Sequence, residues 1–376
     1  FTYDINNNVK TVTDPLNRVT VYYYDDSENL TSIVDAETNT TTYEYDERHL
    51  LFKHKDANTP QGVTQYDYDD NGNLAKITDA ESNETTYGYD GFDRLTAKTF
   101  DDTSGSTYQY DKNSNLTKHT TPKGDDIDYT YDALNRRLTK EFESDGDLDV
   151  TYTYDVGSRM LTADTTASEI DYVYDALNRV TETTQRINAN DFTVEYDYDK
   201  VGNRTQITYP STKVVDYTYD DLNRMTHVDV NSSPLAEYAY DPLNRRAVKS
   251  FLSANLPRTT YEYDLANQLE AQVNMVLYSA DSVTNQLSAP LEDITNNVTP
   301  HTLSSQFVYL YDDVGNRTDM AVSGTLGTTG TFEYDYNDIY ELEGVSNADS
   351  HSYAYDNVGN RTTADSVSYT TNTLNQ

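Results

Sequence analysis

The chain has 376 residues, 36 of them tyrosine and none cysteine or tryptophan, and carries a formal net charge of −37. A pI near 4.2 goes with a lack of the clustered Lys and Arg that nucleic acids and anionic membranes require, which argues against both as partners. No apolar run approaches the roughly 20 residues of a membrane helix, and no signal peptide or disulfide framework is visible.

Mean hydropathy of −0.81 and 36% hydrophobic residues lean by themselves toward disorder. The placement of the tyrosines reverses that. From Phe1 onward one unit recurs, seen most fully in Tyr129-Thr130-Tyr131-Asp132-Ala133-Leu134-Asn135-Arg136. In a strand, tyrosines two residues apart share one face and the residue between them faces the other way. Asp132 to Asn135 then reads as a tight reversal before a polar strand, Arg137 to Lys140. The second tyrosine falls at Tyr3, Tyr24, Tyr45, Tyr68, Tyr89, Tyr110, Tyr131, Tyr154, Tyr174, Tyr198, Tyr219, Tyr240, Tyr263, Tyr311, Tyr334 and Tyr355, in steps of 20 to 24 residues with one gap. Worn copies fill the gap at Tyr278–Asn285 and close the chain at Tyr369–Gln376. A sustained period of this length marks a repeat array.

In the first hundred residues a second turn follows each tyrosine pair by about ten residues, at Asp14-Pro15-Leu16-Asn17, Asp35-Ala36-Glu37-Thr38 and Asp79-Ala80-Glu81-Ser82. Each repeat is therefore two strands and two turns, and β-favouring Thr and Val crowd the strand before the next tyrosine pair, as in Thr40-Thr41-Thr42-Tyr43. Gly72, Gly202, Gly315 and Gly359 stand where Asn135, Asn178, Asn223 and Asn244 stand in other copies, the substitution a left-handed position demands. Helix is expected to be nearly absent. The fold class expected is all-β: one antiparallel meander of hairpins, too long to stay flat, coiling into a spiral β-shell or tube with tyrosines stacked in ladders along its wall. We expect a single array over residues 1–376, with an irregular insertion or loop over about 270–305.

Tyr-x-Tyr-Asp-x-x-Gly/Asn-Asn/Arg at this period resembles the YD repeats of the RHS family, which includes bacterial RHS and wall-associated polymorphic toxins, cocoon components of insecticidal toxin complexes, and teneurins. The resemblance covers essentially the whole chain. It implies a spiralling sheet enclosing a hollow shell, often around a toxic C-terminal domain or a folded-back segment. No Asp-Pro-x-Gly-Leu core motif, autoproteolytic aspartyl site or variable toxin domain is found, so the chain reads as an interior window of a longer array.

Chemistry is sparse. An Asp present in every repeat is a turn former before it is a glycosidase carboxylate, and no catalytic residue is assigned. His49, His54, His119, His227, His301 and His351 show no zinc spacing. Asp145-Gly146-Asp147-Leu148-Asp149 and Asp69-Asp70-Asn71-Gly72-Asn73 alternate oxygen ligands but fail the EF-hand template, which leaves room only for weak calcium binding. Arg136, Arg179, Arg224, Arg245, Arg317 and Arg361 are expected to pair with Asp and Glu across strands. Sequons at Asn29, Asn39, Asn83, Asn115, Asn203, Asn231, Asn297, Asn316 and Asn360 arise from the repeat itself.

The function expected is a non-catalytic scaffold, secreted or at the cell surface, whose shell encloses or presents a toxin, an effector or another segment of its own chain. The alternative is an extracellular adhesin or filament that binds glycans, a partner surface or further copies of itself. No cofactor, nucleic acid or membrane insertion is expected.

Overall fold

The computed structural model describes residues 1–58, 60–143, 149–252, 257–277, 301–325, 329–347 and 350–370. Among the described residues there is no helix, and 33 strands follow one another along the chain. The architecture is an all-β antiparallel meander of hairpins. It divides into two compact units, one built from Phe1–Gly105, Tyr261–Val273 and Leu303–Gln376, the other from Ser106–Thr260 and Asn274–Thr302.

In the second unit, strand Asp126–Tyr131 pairs antiparallel with Arg137–Phe142. The turn between them repeats through the unit. The Asp132 N–H donates to the Arg136 carbonyl at 2.9 Å, and the Asn135 N–H donates to the Asp132 carbonyl at 3.0 Å. Asn135 takes φ of 60°, the left-handed residue that closes a type I turn into a hairpin. Thr130 lies opposite Thr139 but Tyr131 lies opposite Arg137, so Leu138 is left over. The same slip recurs at Tyr154 opposite Met160, Tyr174 opposite Val180 and Tyr219 opposite Met225. Every such repeat thus carries a β-bulge at one fixed place, which bends the strand and adds right-handed twist. Where the extra residue is a threonine that follows Leu, Val or Met, its hydroxyl donates to the carbonyl between the two tyrosines. Thr117 reaches Gln109 at 3.2 Å and Thr226 reaches Thr218 at 3.2 Å. The Leu-Thr and Met-Thr pairs at Leu30, Leu95, Leu116 and Met225 are sequence traces of this bulge, which other copies build around Leu138, Leu161 or Thr205.

The core is thin. Val215, Val228 and Ala236 are buried, with Tyr217, Met225, Val230, Tyr238 and Phe251 packed against them. Among the described residues only Ser250 has a side chain below 2% exposure. Elsewhere the sheet gains its apolar burial from half-buried tyrosine rings, as at Tyr129, Tyr131, Tyr152 and Tyr154, while Thr130 and Thr153 between them are exposed. This is the two-faced alternation expected of the Tyr-x-Tyr triplet.

The first unit obeys the same rules. Val19–Tyr24 pairs with Leu30–Val34, slipping between Tyr23 and Tyr24, and Tyr311 lies opposite Arg317 after a slip from Leu310. The segment expected to be irregular over Glu270–Ser305 is strand at both ends, since Leu269–Leu277 and His301–Tyr311 are extended. Tyr278–Asn285 lies outside the described residues, as does the closing copy beyond Thr370.

Candidate functional site

The Tyr-Asp turn is where the repeat concentrates its chemistry, so its polar atoms decide what the chain can do. Asp132 Oδ1 accepts the backbone N–H groups of Leu134 and Arg136 at 2.8 and 3.0 Å, and Oδ2 accepts Arg136 Nε at 2.7 Å. Asp175 and Asp220 are bound in the same way. In the glycine turns an asparagine replaces the arginine, and Asn73 Nδ2 donates to Asp69 Oδ2 at 3.1 Å. The carboxylate is thereby consumed as a turn brace.

The arginines differ from expectation. Arg136, Arg179, Arg224 and Arg245 pair with the Asp of their own turn, not across strands. A guanidinium four residues from the carboxylate sits on the same turn and meets it without crossing the sheet. The free arm of Arg136 continues to the Asp155 carbonyl of the next turn at 2.9 Å, and that of Arg179 to the Asp199 carbonyl at 2.8 Å, lacing successive turns together. Arg317 and Arg361 belong to a different set, stacked at 4.2 and 5.0 Å over the rings of Tyr309 and Tyr353.

The tyrosine ladders also take another form. Among the described residues the ring pairs are Tyr108 stacked on His119, Phe307 stacked with Tyr309 and Tyr43 tilted against His54, none of them a tyrosine pair. Instead the second tyrosine of most described repeats donates its hydroxyl to a backbone carbonyl at the start of the preceding return strand, and near the end of the chain Tyr336 rather than Tyr334 takes this role, reaching the Arg317 carbonyl at 3.0 Å. Tyr131 reaches Leu116 at 2.9 Å, Tyr154 reaches Arg137 at 2.8 Å and Tyr174 reaches Met160 at 2.8 Å. Two-strand spacing is wider than ring contact, so the hydroxyl bridges it.

The remaining candidates fall to structural roles where they are described. Asn29, Asn83, Asn115, Asn203, Asn316 and Asn360 of the sequons give their side-chain amides to the Asp of their turns. Asn39 gives its amide to Tyr340, Asn231 accepts the Val214 N–H, and Asn297 is outside the described residues. His49 contacts Asn29, His227 lies 3.5 Å from Glu237, and His351 meets Asp365 at 2.9 Å; the side chain of His301 is outside the described residues. Of the candidate calcium loop Asp145–Asp149 only Asp149 is described, accepting the Phe142 N–H. Among the described residues no group of three or more His, Asp or Glu is disposed to hold a metal, and no helix is long and apolar enough to cross a membrane.

Within the first unit the sheet touches itself across long separations, which the repeat period alone does not reveal. An Arg18 guanidinium nitrogen donates to the Asp312 carbonyl at 2.9 Å and to Gln268 at 3.2 Å. Glu37 accepts the Asp313 N–H at 2.7 Å and Glu81 accepts the Asn357 N–H at 3.0 Å, both across 276 residues. Tyr340, itself in the left-handed turn position at φ of 69°, donates its hydroxyl to Asp35 and accepts from Asn39. Here the second-turn edge of early repeats docks on the Tyr-Asp turn edge of late ones, forming a seam without strand pairing.

The turn carboxylates carry a pH signature. The backbone N–H of the arginine four residues on, helped by its guanidinium, holds Asp132, Asp155 and Asp175 below the usual aspartate range. A folded-state pKa below the unfolded one means the unfolded chain binds more protons, so this stability is present above about 3.9 and is lost as pH falls through the lowered values. Acid also relieves the self-repulsion of a chain of net charge −37. The expected melting profile is therefore level or gently rising from pH 7 to about 5 and falls below about 4; a melting point still rising at pH 2 would overturn this role for the carboxylates.

The comparisons agree with the geometry. The RHS repeat family model matches residues 3–40, 24–64, 68–104 and 110–147, and the teneurin YD-shell model matches residues 140–271. No curated protein is a match. Among solved structures, the Photorhabdus luminescens Tc holotoxin pore, carrying a mutation in TccC3, superposes at a TM-score of 0.70 with 12% identity, covering 92% of this chain and 21% of that one. A crystal structure of TcdB2-TccC3-TEV matches at a TM-score of 0.46 with 14% identity, over 92% of this chain and 26% of that one. The chain thus spans about a fifth to a quarter of the solved chains it matches. With its tyrosine pairs, Asp-braced turns and antiparallel meander of hairpins, the chain belongs to the RHS/YD-repeat family.

Proposed function

We propose that this array is a non-catalytic scaffold wall, secreted or at the cell surface, acting as one continuous body that encloses or presents a toxin, an effector or another segment of its own polypeptide. The observation that carries the reading is the spent chemistry of the repeat. Turn carboxylates are tied up by their own backbone, as at Asp132, and tyrosine hydroxyls by the neighbouring hairpin, as at Tyr154. Such a surface holds shape and leaves activity to whatever it surrounds. Membership of a family whose fold is a β-shell supports the same reading. Cryo-electron microscopy of the intact polypeptide that carries the array tests it. A hollow particle with separate internal density is expected, whereas a continuous tube or fibre with nothing inside would overturn enclosure and favour the adhesin reading.

A further inference from the structure

The strands of the second unit separate their charges by face. Residues opposite one another in an antiparallel pair point to the same side, so the registers sort the side chains. From Asp126 to Phe251 each strand Asp and Glu lies on the side of the residue between the tyrosines, as do Asp128 opposite Glu141, Asp197 between Tyr196 and Tyr198, and Asp216 opposite Asp229. Among the described strands of this stretch Arg186 is the one Lys or Arg on that side, and it meets Glu169, Asp171 and Asp191 there. The others, Arg137, Lys140, Arg204, Arg246 and Lys249, lie opposite tyrosines. Asp and Glu outnumber Lys and Arg 64 to 27 in this chain, so composition alone does not supply a face with cations and no carboxylate.

Four of these cations form two copies of one cluster. Arg137-Leu138-Thr139-Lys140-Glu141-Phe142 returns as Arg246-Ala247-Val248-Lys249-Ser250-Phe251. In the first, Arg137 lies 4.7 Å from the Tyr129 ring centroid and Lys140 lies 4.3 Å from that of Phe142. In the second, Arg246 lies 5.1 Å from Tyr238 and Lys249 lies 4.6 Å from Phe251. Among the described residues Arg137, Lys140 and Lys249 have no carboxylate partner. A ring attracts a cation through its quadrupole without neutralising it, so these charges remain available to an anion. Between the clusters the face carries half-buried rings and aliphatic groups, as at Tyr152, Ile170, Tyr172 and Val194.

We infer that the tyrosine face of the second unit is a binding face for an acidic polypeptide, whose carboxylates meet the two Arg-Lys-Phe clusters and whose apolar side chains lie on the rings between them. The inference rests on the scaffold reading above and names the chemistry of the segment that the array encloses or presents. Charge complementarity selects an anion. The chain's own net charge of −37 repels the continuous charge of a nucleic acid at long range, which favours a polypeptide with spaced carboxylates.

Fluorescence anisotropy with the full chain tests it, using a labelled peptide of repeated Glu-Leu-Ser-Gly and its counterpart with Gln in place of Glu. The Glu peptide should bind, and should lose about tenfold in affinity between about 20 mM and about 300 mM NaCl. Lys140→Gln with Lys249→Gln should weaken binding by about fivefold or more, whereas Lys140→Arg with Lys249→Arg should retain it. Arg186→Gln, on the opposite face, should leave binding unchanged, and the unfolding of each variant is followed alongside. Enclosure is read separately, from internal density in the particle, so a failure of the scaffold reading is told apart from a failure of this one. No binding of the Glu peptide, equal binding of the Gln peptide, or binding indifferent to the lysine variants would overturn the inference. Tighter binding of an oligothymidylate than of the Glu peptide would overturn it in favour of a nucleic acid.

Discussion

Replacing Tyr154 by Ser is expected to destabilise the array by about 3 kcal/mol, while Tyr154→Phe costs about 1. The ring is half-buried on the tyrosine face, and the Arg136 guanidinium lies 4.8 Å from its centroid. Its hydroxyl donates to the Arg137 carbonyl of the preceding hairpin at 2.8 Å. Losing partial burial of a large ring removes roughly 1.5 kcal/mol, the hydrogen bond about 1, and the cation–π contact about 0.5. The same withdrawal from water holds this hydroxyl above the usual tyrosine range. Because repeat arrays open locally, urea unfolding is best joined to amide hydrogen exchange over Val150–Asp164, where protection should fall most. A loss below about 0.5 kcal/mol for the serine variant would make the tyrosines surface decoration.

That the tyrosine would matter was legible in the sequence, because a two-residue period fixes which side chains share a face. So was the turn: Asn135 and Gly202 at one position require a left-handed backbone, and both adopt it, with φ of 60° and 103°. Second turns were harder to read. Thr38, Thr103 and Thr212 hold the same conformation at φ between 64° and 71°, although a β-branched residue is strained there. The bulge beside each tyrosine was missed because it is a property of how two strands align, and Leu138 or Thr226 fits a regular strand equally well. The seam was out of reach for another reason. Glu37 and Asp313 meet across 276 residues, and that distance depends on how fast the sheet curls, which sums small twists that no single repeat states. Tyr340 illustrates the gap: it occupies a glycine-like position, yet its hydroxyl anchors the seam at Asp35 and Asn39.

Gly324→Ala should cost more than about 3 kcal/mol, the largest effect expected of a methyl group added at any described left-handed glycine. The residue follows the strand Arg317–Ser323, whose Ser323 lies opposite Gln306. Its φ is 137°, and a Cβ there would stand 2.4 Å from the Ser304 carbonyl oxygen and 2.7 Å from the Ser305 Cα. Both obstacles are backbone, so no rotamer change relieves them and the end of the hairpin has to part. Gly202→Ala separates the two contributions. It has φ of 103° with nothing within 4 Å of the added carbon, so it should show the left-handed strain alone, about 1 kcal/mol. The excess of Gly324→Ala over Gly202→Ala in urea unfolding measures the clash, and hydrogen exchange should show it confined to Gln306–Val308 and their partners Ala321–Ser323. Equal costs for the two variants would mean that the hairpin end yields freely, and that the close backbone approach at Gly324 places no constraint on the sheet.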